Sequence, residues 1–90
     1  MDFEMIVDEV FVFNDGRTVF AGQVLSGPSF IKACKCELYS NEIRVNIFEL
    51  EGEMMPLRKT RHKVRAVSTF HPFSKEELHD LPNLKLKSHM

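Results

Sequence analysis

Two strand-like segments, each ended by a glycine turn, constrain the fold of this chain more than any other feature. Residues 10–13 are β-branched or aromatic and stop at Asn14-Asp15-Gly16, whereas residues 18–25 stop at Ser26-Gly27-Pro28. Asn, Asp and Gly adopt the backbone angles of tight turns, and Val and Phe suit a pleated, half-buried strand. The pattern therefore predicts a β-hairpin.

Interruptions in the strand pattern indicate where the sheet bends. Asp8-Glu9 breaks the apolar pattern of the first strand, which predicts a β-bulge, and Gly22 in the second strand predicts a kink or a close backbone approach. Near residue 48 the apolar face of a later strand reverses, which predicts a second bulge. We expect this strand to carry one apolar face before that reversal and to break at Gly52. The apolar face consists of Ile43, Val45 and Ile47.

The remaining pattern is that of short strands with one helical turn. Ser74-Lys75-Glu76-Glu77 has the spacing of a helix N-cap and predicts a helix over 75–80. Strands are predicted at 3–13, 18–25, 34–39, 42–50, 62–70 and 84–87. A chain of 90 residues that is 43% hydrophobic makes a single domain of ordinary composition. The fold class predicted for residues 1–90 is all-β: a small antiparallel β-barrel of about six strands with one short helical turn near the C-terminus.

Basic residues are concentrated in one segment, although the formal net charge is only −1. A cluster of this kind is a candidate for polyanion binding, because Arg and Lys release counterions from phosphates. The alternative is a solvent-exposed hairpin whose charge is neutralised by Glu49, Glu51 and Glu53 on the adjoining strand. Near-neutral total charge favours this second interpretation. The candidate polyanion-binding residues are Arg58, Lys59, Arg61, Lys63 and Arg65.

The order of these elements resembles the second, β-barrel domain of translational GTPases of the elongation factor Tu type. The matching residues are Asp8-Glu9-Val10-Phe11, Asp15-Gly16-Arg17, Thr18-Val19, Gly22, Val24 and Gly27. The resemblance implies a small barrel, which in that family helps to hold the aminoacyl end of a charged tRNA, and it places Asp8 and Glu9 near the pocket. No Gly-x-x-x-x-Gly-Lys-Ser/Thr phosphate loop occurs in the sequence. The resemblance is therefore to a stand-alone barrel without the GTPase part.

Residue types that could support catalysis or metal binding lack the partners that such chemistry needs. Cys34 and Cys36 are two positions apart on one strand, about 6.6 Å, and no His pair or second Cys pair accompanies them as in a zinc site. Leu25-Ser26-Gly27 lacks the Gly-x-Ser-x-Gly elbow. His71 lies among apolar residues and is interpreted as structural. The sequence predicts that the protein is not an enzyme and has no metal or cofactor.

A small module without catalytic residues generally works by contact. We therefore expect a non-enzymatic β-barrel binding module that contacts another protein, such as an immunity or adaptor protein. The alternative is an RNA- or tRNA-binding module that uses the basic segment 58–65. Apolar runs are too short for a membrane span, no signal peptide is recognised, and two cysteines favour a cytoplasmic location. The oligomeric state is left open.

Overall fold

A computed structural model describes residues 2–54 and 64–89 of the chain. These residues form one antiparallel sheet of seven strands, curled into a half-barrel, together with one short helix. The predicted all-β antiparallel class is confirmed, but seven strands are present where about six were expected. No helix in the described ranges is long and apolar enough to cross a membrane. The elements in chain order are β1 (Glu4–Val12), β2 (Thr18–Ser26), β3 (Cys34–Ser40), β4 (Ile43–Leu50), β5 (Gly52–Glu53), β6 (Arg65–Thr69), α1 (Lys75–His79) and β7 (Leu84–Ser88).

The strands lie in the order β4-β3-β7-β1-β2-β6-β5. The hairpins β1–β2 and β3–β4 are local, whereas β7 lies between them and pairs with both β1 and β3. The C-terminal strand therefore joins the two hairpins into one sheet. Its half-buried Lys85 and Lys87 alternate with buried Leu84 and Leu86, the alternation that predicted this strand.

The turn between β1 and β2 is the one that the sequence predicted. The N–H of Phe13 donates to the carbonyl of Arg17 at 2.8 Å, and the N–H of Gly16 donates back to the Phe13 carbonyl at 3.2 Å. Gly16 has φ +94°, a conformation that residues with a Cβ adopt at a cost. The Asp15 carboxylate accepts from the N–H of Arg17 at 2.9 Å. These bonds define a three-residue hairpin loop with glycine in the left-handed position.

The predicted bulge in β1 is also confirmed, and it depends on Gly22. Val7 lies opposite Gly22 and the next paired residue of β1 is Glu9, so Asp8 is the extra residue. A Cβ built on Gly22 would overlap the carbonyl oxygen of Ile6. No side chain fits in that space, so only glycine allows β2 to follow β1 through the bulge.

The sequence predicted that the chain leaves the sheet at Gly52, whereas Gly52–Glu53 form the short strand β5. The conformation of Gly52 explains this difference. Gly52 has φ +132°, and a Cβ there would lie 3.2 Å from the carbonyl oxygen of Ile31. The chain kinks after β4, and its next two residues pair with β6. Because β4 and β5 are the two ends of the strand order and only Glu51 separates them in sequence, this kink joins the two ends of the curled sheet.

The second bulge lies in β4, but earlier than the sequence indicated. Arg44 and Asn46 pair with adjacent residues of β3, which leaves Val45 as the extra residue. The prediction of one regular apolar face over this segment is therefore wrong. The side chains of Phe48 and Leu50 are buried, whereas the three residues expected to form the apolar face are exposed: Ile43, Val45 and Ile47.

Aromatic contacts at the centre of the core fix the chain just before α1. Phe73 packs edge-on against Phe48, with ring centroids 5.1 Å apart, and against Phe20 at 5.7 Å. Such edge-to-face pairs stabilise a core beyond their burial alone. The other buried core residues are Phe3, Met5, Ile31, Cys36, Leu38, Leu50, Val67, Leu78, Leu84 and Leu86.

Replacing Gly22 with alanine tests the close approach at the bulge. We expect Gly22→Ala to lower the free energy of unfolding by about 1–3 kcal/mol or more, because the new Cβ forces the two strands apart. The matched control is Gly16→Asn, since nothing lies within 4 Å of a Cβ at Gly16 and Asn tolerates positive φ. Urea denaturation measures both. A loss for Gly22→Ala no larger than for Gly16→Asn would contradict the account.

Candidate functional site

A groove opens between β1 and α1, where β1 separates from β7. The two strands pair only at residues 4–6 of β1, and the bulge at Asp8 follows directly. The chain that precedes β7 forms α1 and its connection, so it does not continue the pairing. The groove has a volume of about 400 Å³, within the usual range for ligand sites of roughly 300–1,000 Å³. Its apolar lining consists of Val7, Val10, Val12, Leu78, Leu81 and Leu84.

The helix α1 forms one wall of the groove and is held there by its cap and by one buried side chain. The hydroxyl of Ser74 accepts from the N–H of Glu77 at 3.1 Å, the capping bond that the sequence predicted. Leu78 is buried in the core. Because Lys75 and His79 are four positions apart, they share one face of the helix, and both line the groove. Neither residue was predicted as part of a site, although a spacing of four positions in a helix indicates a shared face.

The acids that the resemblance singled out lie on the opposite wall. Asp8 and Glu9 both line the groove and are exposed. Among residues 2–54 and 64–89, no cation lies within ion-pair distance of either carboxylate. The wall formed by β1 is therefore acidic, and the wall formed by α1 carries Lys75 and His79.

The groove also exposes an edge of β1. The hydrogen bond from the N–H of Phe13 to Arg17 points towards β2. Because the direction of main-chain groups alternates along an antiparallel strand, those of Phe11 also point to β2, whereas those of Val10 and Val12 point into the groove. No main-chain or side-chain group in the described part of the chain bonds to Val10 or Val12 on that side. The groove thus combines an apolar lining, two charged walls and a free strand edge.

Of the predicted basic cluster, the structure describes Arg65, which does not line this groove. Arg58, Lys59, Arg61 and Lys63 lie outside the described residues. The guanidinium of Arg65 forms two bonds to the Glu53 carboxylate, Nη2–Oε1 at 2.6 Å and Nε–Oε2 at 2.8 Å. It also donates to the Pro28 carbonyl at 3.1 Å. Arg65 is therefore occupied by internal partners.

The same pair ties three parts of the chain together. Besides Arg65, the Glu53 carboxylate accepts from the N–H of Ile31 at 3.0 Å. The hydrogen bonds from Arg65, and secondarily that from Ile31, lower the pKa of Glu53, while burial opposes the shift. Glu53 thus links β5, β6 and the loop before β3 as long as it is ionised.

The two cysteines are free thiols on β3. Burial raises the pKa of Cys34 and, more strongly, that of Cys36, and a neighbouring charge adds to each shift. Both groups therefore stay protonated near neutral pH, which disfavours them as nucleophiles or metal ligands. In the described part of the chain, no group of three or more His, Cys, Asp or Glu residues is arranged to hold a metal ion.

His71 is packed against aromatic residues. Its ring centroid lies 4.6 Å from that of Phe73 and 5.8 Å from that of Phe48. A ring nitrogen lies 3.5 Å from the side-chain amide of Asn46, and the N–H of His71 donates to the hydroxyl of Thr69 at 3.0 Å. These contacts give His71 a role in joining β4 to the chain after β6.

No protein-family model, curated protein or solved structure gives a match to this chain. The groove and its charge distribution are therefore the observations on which a function can be proposed.

The pair Glu53–Arg65 predicts a specific pH dependence of stability. The pKa of Glu53 is depressed in the folded state, so its stabilisation is present above the unfolded value, about 4.3, and is lost as the pH falls through the folded value. We expect Glu53→Gln to cost about 1–3 kcal/mol at pH 7 and less in acid. Denaturation from pH 7 to pH 3 measures this difference, with Glu49→Gln, which changes an exposed carboxylate of β4, as the matched control. A cost for Glu53→Gln that does not fall in acid would contradict it.

Proposed function

We propose that this protein is a non-enzymatic binding module that contacts another protein through the groove between β1 and α1. The observation that carries the proposal is the edge of β1, uncovered by any described strand, beside a groove of about 400 Å³ with an apolar lining. Main-chain groups at Val10 and Val12 lack partners among the described residues, and a protein segment could satisfy them. Apolar side chains of a partner would cover the lining.

The charges of the groove favour a protein over a nucleic acid. Asp8 and Glu9 form an acidic wall that repels phosphates, and Arg65 is already paired with Glu53. The net charge of −1 provides no general attraction to RNA. An RNA- or tRNA-binding module that uses residues 58–65 remains the alternative proposal, and the experiment below separates the two.

The resemblance to the barrel domain of translation factors supports a role in contact rather than in chemistry. In that family the residues that correspond to Asp8 and Glu9 lie near the aminoacyl pocket, and in this chain both line the groove. We propose an adaptor or immunity protein, located in the cytoplasm, that covers a surface of its partner. Binding along the edge of β1 requires neither a cofactor nor a metal.

Affinity capture from source cells tests this proposal with one groove variant and one control. We expect wild-type protein to retain a stoichiometric protein partner and Glu9→Arg to lose it, because the substitution reverses the charge of the β1 wall. The matched control is Glu49→Arg, which reverses an exposed carboxylate on β4 and should keep the partner. Quantitative mass spectrometry and the RNA content of each eluate are the measurements.

Two outcomes would overturn the proposal. Equal recovery of the partner with Glu9→Arg would show that the groove is not the binding site. Recovery of nuclease-sensitive RNA without a protein, lost at raised salt and on charge reversal at Arg58 and Arg61, would support the RNA alternative instead.

A further inference from the structure

We infer that the groove binds an extended peptide segment, which adds to the free edge of β1 as an antiparallel strand and carries alternating apolar and cationic side chains. The inference rests on the proposed function, because it names the class of partner for the same groove. Three features of the described residues support it: the direction of the main-chain groups, the alternation of side chains along β1, and the charges of the two walls.

Main-chain pairing is the first feature. Val10 and Val12 each direct one N–H and one carbonyl away from β2, where no described strand covers them. An extended segment in line with β7 would pair with both residues and continue the antiparallel sheet past the bulge. Strand addition to an open edge is a recurring mode of peptide recognition, and antiparallel pairing matches the rest of this sheet.

Alternation of side chains is the second feature. The side chains of Val10 and Val12 pack against the core cluster, whereas Glu9 and Phe11 are exposed. Residues directly opposite each other in a sheet share a face. Peptide residues opposite Val10 and Val12 therefore lie over the apolar lining of the groove, and the residue opposite Glu9 points the other way, beside its carboxylate.

Charge is the third feature, and it selects a cation for the outward-facing positions. Glu4, earlier on β1, already pairs with Lys85 at 3.2 Å, but Glu9 and Asp8 have no described ion partner. An opposite-charge pair across two strands is favourable, and like charges there are unfavourable. The best occupant thus alternates apolar residues with Lys or Arg.

Synthetic peptides of about seven residues, a typical strand length, test the inference directly. The first probe alternates valine with lysine, and its matched control alternates valine with glutamate; fluorescence anisotropy gives both affinities for the full chain. We expect the lysine peptide to bind more tightly. Glu9→Lys should weaken its binding about threefold or more and strengthen binding of the glutamate peptide, while Glu49→Lys changes neither.

N-methylation of the peptide separates strand addition from other ways of filling the groove. In the inferred register the N–H groups of the valines point to β1 and those of the lysines point away. N-methylation of the two central valines should therefore weaken binding about tenfold or more. N-methylation of the neighbouring lysines should change the affinity less than about twofold.

The outcomes are distinguishable from those of the capture experiment. Equal effects of the two N-methylated peptides, or no binding of the lysine peptide, would overturn strand addition by an alternating cationic segment. The proposed function then still stands if Glu9→Arg loses its captured partner. Chemical-shift changes on peptide binding should centre on residues 7–12; changes centred on β4 would also overturn the inference.

Discussion

The carbonyl oxygen of Ile6 lies so close to Gly22 that a Cβ on Gly22 would overlap it. This approach lets β2 follow β1 through the bulge at Asp8, and the bulge divides β1 into two halves with different neighbours. The first half pairs with both β2 and β7, whereas the second pairs, among the described strands, with β2. The groove, its free strand edge and the position of Asp8 and Glu9 all depend on that division.

Charges on this sheet fall into two groups. The carboxylates of the first group have partners within the protein. Glu53 forms an ion pair with Arg65, and Glu37 contacts Tyr39, Arg44 and His89. The first of these pairs connects β5 and β6, near the kink that joins the ends of the curled sheet. The acids of the groove, in contrast, have no described ion partner. A charge that is already paired contributes little to recognition, so the unpaired acids beside an apolar lining are the ones that favour an external ligand.

Local features of this fold could be predicted from the sequence, and long-range ones could not. The hairpin loop at Gly16, the bulge at Asp8 and the cap of α1 by Ser74 each depend on residues close in sequence, and each was predicted. The insertion of β7 between two hairpins depends on contacts across the whole chain, so it has no local signal. Gly52 was predicted to break a strand, because the pairing of Gly52 and Glu53 with β6 involves residues distant in sequence. The same holds for the candidate site. Asp8 and Glu9 were predicted as site residues, whereas the presence of Lys75 and His79 in the groove depends on how α1 packs against β1.

Amide hydrogen exchange along residues 10–13 tests the central claim, that the groove contains a free strand edge, most directly. The N–H of Phe13 is bonded to Arg17 at 2.8 Å and that of Phe11 points to β2, whereas those of Val10 and Val12 point into the groove. A free edge predicts an alternating pattern in the unliganded protein, with slow exchange at Phe11 and Phe13 and fast exchange at Val10 and Val12. Equal protection of all four amides would mean that this edge is already covered and would contradict the account.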